Sequence, residues 1–322
     1  MTKLSYAKAI TRALEEAMTE DERVFCLGED VGYGGAYGAT QGLRDKFGGQ
    51  RVRDTPISEA AIVGYSVGAA VAGLRPVAEI MHMDFITCAM DQVVNQAAKM
   101  RFMFGGKAQV PMVIRVGVGG RLNAAAQHSQ SLESWFTHIP GLKVVAAGTP
   151  ADVRALLLAA VRDDNPVLVC EALGLYETSG EVPDVAPEMT LGIADTKRTG
   201  DDVTVVTWGG MVPITLAAAD TLATEGISVE VIDLLSLMPW DTSAVLGSLE
   251  RTGRLVIAHQ AHLRSGFGAE VSATVVEEGF DLLDAPIARV GSLNVPVPFS
   301  PALEDYVIPT SEDVAQAVRH LG

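Results

Sequence analysis

The chain has 322 residues, 48% of them hydrophobic and 20% charged, which excludes a disordered or fibrous protein and is enough for two folded domains. Its formal net charge is −16 and no basic cluster interrupts it, so nucleic acid and anionic membrane are poor partners and a basic protein is a better one. Three widely spaced cysteines, Cys26, Cys88 and Cys170, form no C-x-x-C pair, which argues against a disulfide framework or a zinc site.

The opening stretch, "MTKLSYAKAITRALEEAM", reads as an amphipathic helix with charges throughout rather than a signal peptide. No run of eighteen apolar residues is free of polar breaks, so a cytoplasmic protein is expected. "RVFCLGED" (23–30) reads as a strand entering a loop. In "TPISEAAIVGYSVGAAVAG" (55–73), Ser58 is a good N-cap. Glu59 then falls in the first helical turn, where a carboxylate meets the positive dipole end. Gly64 and Gly68 share one face of that helix, flanked by Ser66, Ala69, Ala72 and Gly73. Such a face admits a close helix partner, often from another subunit, and would carry Glu59 to a partly dehydrated interface.

"RPVAEIM" (75–81) is the next expected strand, "CAMDQVVNQAAKMRFM" (88–103) a helix and "VPMVIRV" (110–116) a strand. The glycine-rich "GVGGR" (117–121) lacks dinucleotide-loop spacing, and the chain has no G-x-S-x-G elbow. It leads to His128, set among Gln127, Ser129 and Gln130; this is either a solvated loop histidine or one placed to move protons. A strand (143–148), a helix (150–163) and a strand (166–172) follow. This alternation predicts a parallel sheet flanked by helices over residues 1–185. Residues 186–198 read as a linker, and 199–322 as a smaller α/β domain. His82, His138, His259, His262 and His320 match no metal-ligand pattern and read as structural.

"LGEDVG", "DTPISEAAIVGYSVGAAVAGLRPVAEI", "MDFITCAMDQVVNQAAKMRFMFGG", "AAAQHSQSLESWFTHIPGLKVV", "RDDNPVLVCEA", "GEVP" and "EVIDLLSLMPWD" occur in that order. From about residue 4 to the end, the chain resembles the β subunit of the thiamine-diphosphate-dependent 2-oxoacid dehydrogenases, and more closely the pyruvate and acetoin dehydrogenase β chains. The resemblance implies a transketolase-like α/β fold: a pyrimidine-binding domain, then a smaller C-terminal domain. It implies an α2β2 heterotetramer with a separate α subunit, and transfer of an acyl group to the lipoyl group of a dihydrolipoyl acyltransferase core.

In the matching E-x-x-x-x-G-Φ-x-x-G segment (Glu59, Gly64, Tyr65, Gly68), the family's glutamate bonds the aminopyrimidine of thiamine diphosphate and shares a proton with its N1′. Ile57, Met81 and Phe85 match the cofactor pocket, with Phe85 able to stack on the pyrimidine, and His128 matches the active-site histidine. "AAVRDDNPV" matches a loop whose main-chain oxygens hold potassium in some relatives. That implicates Ala160, Val161, Asp163 and Asn165 with Met112, against the alternative of a plain turn. No G-D-G occurs, so the ligands of the diphosphate's magnesium ion are expected mainly from the α subunit.

Two departures stand out. Gln260 occupies a position where relatives commonly have glutamate, with an effect expected on partner docking rather than on chemistry. The 117–123 loop lacks the proline of many pyruvate-type relatives and looks nearer the acetoin type. A split transketolase-like acyl transferase of specialised metabolism and a non-catalytic scaffold subunit are the alternative readings; intact Glu59 and His128 count against the second.

Overall fold

Short runs of valine, isoleucine and leucine pair into two main sheets, and the pleat sends alternate side chains to opposite faces. The computed structural model describes residues 1–321; Gly322, the end of the last expected helix, lies outside them. The first sheet has seven strands in the order Ser236–Met238, Lys143–Ala147, Val167–Ala172, Val113–Val118, Arg75–Ile80, Val24–Gly28 and Val52–Asp54. Its neighbours run parallel except at Ser236–Met238, which pairs antiparallel with Lys143–Ala147.

Val24 and Cys26 point to one side, where helices Tyr6–Glu20 and Pro150–Arg162 pack with Ile10, Leu14, Val153 and Leu157. Phe25 and Leu27 point to the other, onto Ile62, Val63 and Val67 of helix Glu59–Val71. Burial on both faces explains why these strands read as continuous apolar runs.

The second sheet runs Ala288–Ser292, Leu255–His262, Val203–Thr207, Val229–Asp233 and Asp195–Arg198, with only the last strand antiparallel. One face carries helices Val212–Thr224 and Ser311–Arg319. The other, through Val206, Ile232 and Ile257, joins the same apolar cluster as Phe25 and Ile62, so the core passes without a break from one domain to the next.

Several segments differ from the sequence-based expectation. Asp195–Arg198, read as linker, is an edge strand of the second sheet. Lys197 within it bonds Asp152 of the first domain at 2.8 Å. Thr2–Ser5, read as helix, pairs with Ser179–Val182, and the helix starts at Tyr6 with the Ser5 side chain accepting from the Lys8 N–H. Helix 88–103 is interrupted by a wider π-helical stretch, Gln92–Ala97, before Ala98–Met103 resumes the α form. Ser236–Met238 leaves its own domain to complete the first sheet.

Arg115, 1% exposed in its side chain, lies between Glu171 (Nε to Oε1 2.7 Å, Nη2 to Oε2 2.8 Å) and Glu79 (Nη1 to Oε2 2.6 Å). The Tyr176 hydroxyl donates to Glu171 at 2.6 Å. Arg115→Met would leave two buried carboxylates without their cation. We expect it to cost about 3–5 kcal/mol of stability, the range for breaking a buried pair, read as a lower denaturant midpoint at unchanged slope.

Candidate active site

Four adjacent parallel strands, Val113–Val118, Arg75–Ile80, Val24–Gly28 and Val52–Asp54, end on one edge of the first sheet. Ligand crevices of parallel α/β sheets form outside such carboxyl ends. The residues that follow each strand are the loop to His128, the turn Met81–Phe85, Glu29, and the turn Ile57–Glu59. The topology therefore gathers segments far apart in sequence, and the candidate residues Ile57, Glu59, Met81, Phe85 and His128 lie on three of these four.

Glu59 opens helix Glu59–Val71 and is half-buried. Ser58 holds the cap position, but its side chain makes no capping bond, so the expected Ser58 cap is corrected. Ile57 beside it is 83% exposed. Burial, then the negative charges of Glu59, Asp30 and Glu79, pushes the neighbouring Glu29 carboxyl up from its ordinary range. Glu29, unremarked in the sequence, thus belongs to the acid-rich end of the sheet that carries Glu59. The carboxylate of Glu59 accepts no hydrogen bond among the described residues, which suits it to a ligand donor.

The small-residue face expected on this helix is only partly formed. A Cβ at Gly64 would sit 3.4 Å from Gln92, whereas Gly68 has open space around it, and Ala61 and Ala72 are exposed. Ser66 points instead into the core, donating to the Ile62 carbonyl at 2.8 Å.

Phe85 and Met81 are half-buried, and the exposed His128 ring lies 5.1 Å from the ring of Phe85 and 4.9 Å from that of His82. His82, taken as structural from its sequence context, therefore belongs to this cluster. His259 is structural: it is stacked on Trp208 at 5.2 Å, and burial lowers its pKa to about 4.

The loop carrying His128 is held in an unusual backbone path, with Arg121, Asn123 and Ala125 at φ of 75°, 55° and 63°. Left-handed non-glycine residues are costly unless their surroundings fix them. Here Glu304 of the second domain, 2% exposed, accepts from the Arg121 and Asn123 N–H groups at 3.0 and 3.1 Å, and Arg121 donates to the Pro309 carbonyl at 2.6 Å.

Gly119, at φ 85°, begins this loop, and a Cβ there would run into the Gln260 amide oxygen. Gln260 thus sits against the loop that leads to His128. Far from Gly119 in sequence, Gln260 is brought against it by the fold.

The candidate potassium oxygens lie around the turn after helix Pro150–Arg162. Arg75 donates to the carbonyls of Val161 and Asp163 at 2.9 and 3.0 Å, Asp163 N–H to that of Ala160 at 3.3 Å, and Val167 N–H to that of Met112 at 3.0 Å. The Asn165 side chain donates to Asp163 at 2.8 Å. Among the described residues, no three His, Cys, Asp or Glu side chains gather into a metal-holding set. No helix among them is long and apolar enough to cross a membrane.

Comparison with known proteins shows the family and the fold. Residues 2–178 match the transketolase pyrimidine-binding domain, and residues 192–314 the transketolase C-terminal domain. The chain is 48% identical to the acetoin:2,6-dichlorophenolindophenol oxidoreductase β subunit of Cupriavidus necator, over 98% of this chain and 97% of that one. It is 43% identical to the pyruvate dehydrogenase E1 component β subunit of Rickettsia felis, again over 98% and 97%. Among solved structures it is similar to a split gene transketolase described as an inactive β4 tetramer, with a TM-score of 0.81 and 25% identity over 99% of this chain and 98% of that one. The chain belongs to the thiamine-diphosphate-dependent, transketolase-type family of acetoin and pyruvate dehydrogenase β subunits.

Proposed function

We propose that this chain is the β half of an α2β2 enzyme that cleaves acetoin or a 2-oxoacid and passes the acyl group to the lipoyl arm of a dihydrolipoyl acyltransferase. The observation that carries this is the convergence of Glu59, Met81, Phe85 and His128 on segments that follow three of four adjacent parallel strands. Bound thiamine diphosphate supplies a nucleophilic carbon and an electron sink for cleaving the bond beside a carbonyl.

The residues of this chain do the rest. Glu59 would hold a proton at N1′ of the aminopyrimidine. Phe85 would stack on the pyrimidine, with Ile57 and Met81 lining the same pocket. His128 moves a proton at the acyl group as it is transferred. Acetoin is the favoured substrate, supported by the 117–123 loop and by the 48% identical relative. Its test is dye-coupled turnover of acetoin, pyruvate and a branched 2-oxoacid by the reconstituted enzyme. Faster turnover of pyruvate than acetoin would reverse that choice, and turnover of none would refute the reading.

The α chain is proposed to hold the diphosphate and its magnesium, with assembly in the cytoplasm. The similar β4 tetramer, described as inactive, supports an incomplete site in a β chain alone. Calorimetry on this chain with thiamine diphosphate and magnesium is expected to detect no binding tighter than about millimolar, since the charged end of the ligand would lack fixed donors. Adding the α chain is expected to create the site and, by linkage, to tighten α–β assembly as cofactor is added. Micromolar binding by this chain alone would overturn the two-subunit site.

A structural potassium ion is proposed at the main-chain oxygens of Met112, Ala160, Val161, Asp163 and Asn165. Each carbonyl oxygen has a second lone pair beyond the bonds described above. The thermal midpoint is then expected to be higher in potassium chloride than in choline chloride at equal ionic strength; equal midpoints would remove the ion.

A further inference from the structure

The His128 imidazole makes no side-chain hydrogen bond among the described residues; only its main-chain N–H is tied, to the Ala125 carbonyl at 3.3 Å. An exposed acid–base group must nevertheless present one ring nitrogen at one place. Two rings brace it edge-to-face: His82 at 4.9 Å with planes at 83°, and Phe85 at 5.1 Å with planes at 88°. His82 and Phe85 meet at 5.9 Å and 82°, so the three rings form a mutually perpendicular corner.

His82 is 6% exposed, and its Nε2 lies 2.8 Å from the Tyr37 hydroxyl. Tyr37 in turn packs at 5.5 Å on Tyr176, whose hydroxyl donates to Glu171 in the buried Arg115 network. The corner is thus anchored to a deeply buried polar network.

Burial, then the neighbouring His128, lower the His82 pKa from the ordinary histidine value, with Asp84 and a main-chain contact to His128 opposing them. Its Nδ1 is buried without a partner. An unmet buried nitrogen costs about 1–3 kcal/mol, which a phenylalanine at this position would avoid. What the imidazole adds over a plain ring wall is its hydrogen bond to Tyr37, which fixes the ring that faces His128.

We propose that His82, locked by Tyr37, is a positioning residue for His128, fixing the plane of the exposed imidazole so that its ring nitrogen faces the acyl group in transfer. This rests on the reading of His128 as an acid–base group. In the reconstituted α–β enzyme, His82→Ala is expected to slow acyl transfer to lipoamide about tenfold, the scale of a modest misplacement of a reacting group. Deuterium exchange at the cofactor C2 and the substrate KM are expected to stay at wild-type values, because Glu59 and the pocket are untouched.

Tyr37→Phe, which removes only the lock, is expected to show the same split at smaller size. His82→Phe, which keeps a ring wall but also loses the Tyr37 hydrogen bond, is expected to show the same split as Tyr37→Phe, smaller than that of His82→Ala. In a His128→Ala background, adding His82→Ala is expected to cost nothing further. An additive loss in that background, or an equal loss in C2 exchange, would overturn the positioning role while leaving His128 in place. Undiminished transfer in His128→Ala alone would instead refute the acid–base reading, and the role of His82 with it.

Discussion

Glu59→Gln is expected to slow hydrogen–deuterium exchange at the cofactor C2 by a factor on the order of 10³, within the usual worth of a placed acid–base group. The amide has nearly the volume of the carboxyl group but cannot share a proton with a ring nitrogen. Helix Glu59–Val71 should be little disturbed, because Glu59 is its half-buried first residue and makes no bond that the fold depends on. The α–β complex is therefore expected to assemble as in the wild type, and gel filtration beside the exchange measurement separates chemistry from assembly. A normal exchange rate in an assembled variant would remove Glu59 from its proposed role. Loss of assembly would place the residue in the interface instead.

The second large effect is expected at His128. His128→Ala should lower acyl transfer to lipoamide by on the order of a hundredfold or more, again the worth of one acid–base group, with cofactor affinity nearly unchanged. The side chain is exposed and hydrogen-bonds no neighbour among the described residues, so its removal leaves no buried group unpaired and stability should change little. Single-turnover measurement of the transfer step distinguishes this from a defect in substrate cleavage. Wild-type transfer would return His128 to an ordinary loop histidine.

Much of this arrangement was legible before any coordinates. The central strands announce themselves because both faces are buried, as in "RVFCLGED" and "RPVAEIM", and the helices between them carry their own periodicity. Glu59 and His128 stand out because each sits in a long, distinctive local stretch.

What escaped is of another kind. Val52–Asp54 is three residues long, too short for any alternation to register. Asp195–Arg198 is polar because it is an edge strand, and polar edges read as loops. The contributions of His82, Glu304 and Gln260 depend on proximity across 46, 181 and more than 100 positions. Nothing in their neighbouring residues signals the His128 ring, the strained loop at Arg121–Ala125 or the close approach to Gly119. Glu304 in particular looks like one more surface acid near a helix start, and only the fold shows it buried against two main-chain N–H groups.

The small strand Ser236–Met238 bears on where this protein can be divided. Residues 186–198 invite the cut: they are the natural place to separate two modules, or to build chimaeras by joining one relative's front half to another's back half. Such a cut would strip the outer strand from Lys143–Ala147 and leave a long apolar edge open to pairing with any other chain. It would also split one apolar cluster, separating Phe25 and Ile62 from Ile232 and Ile257. Inheritance therefore runs across the visible seam: the residues at 236–238 belong, in every exchange that is to yield a soluble protein, with the half that precedes them.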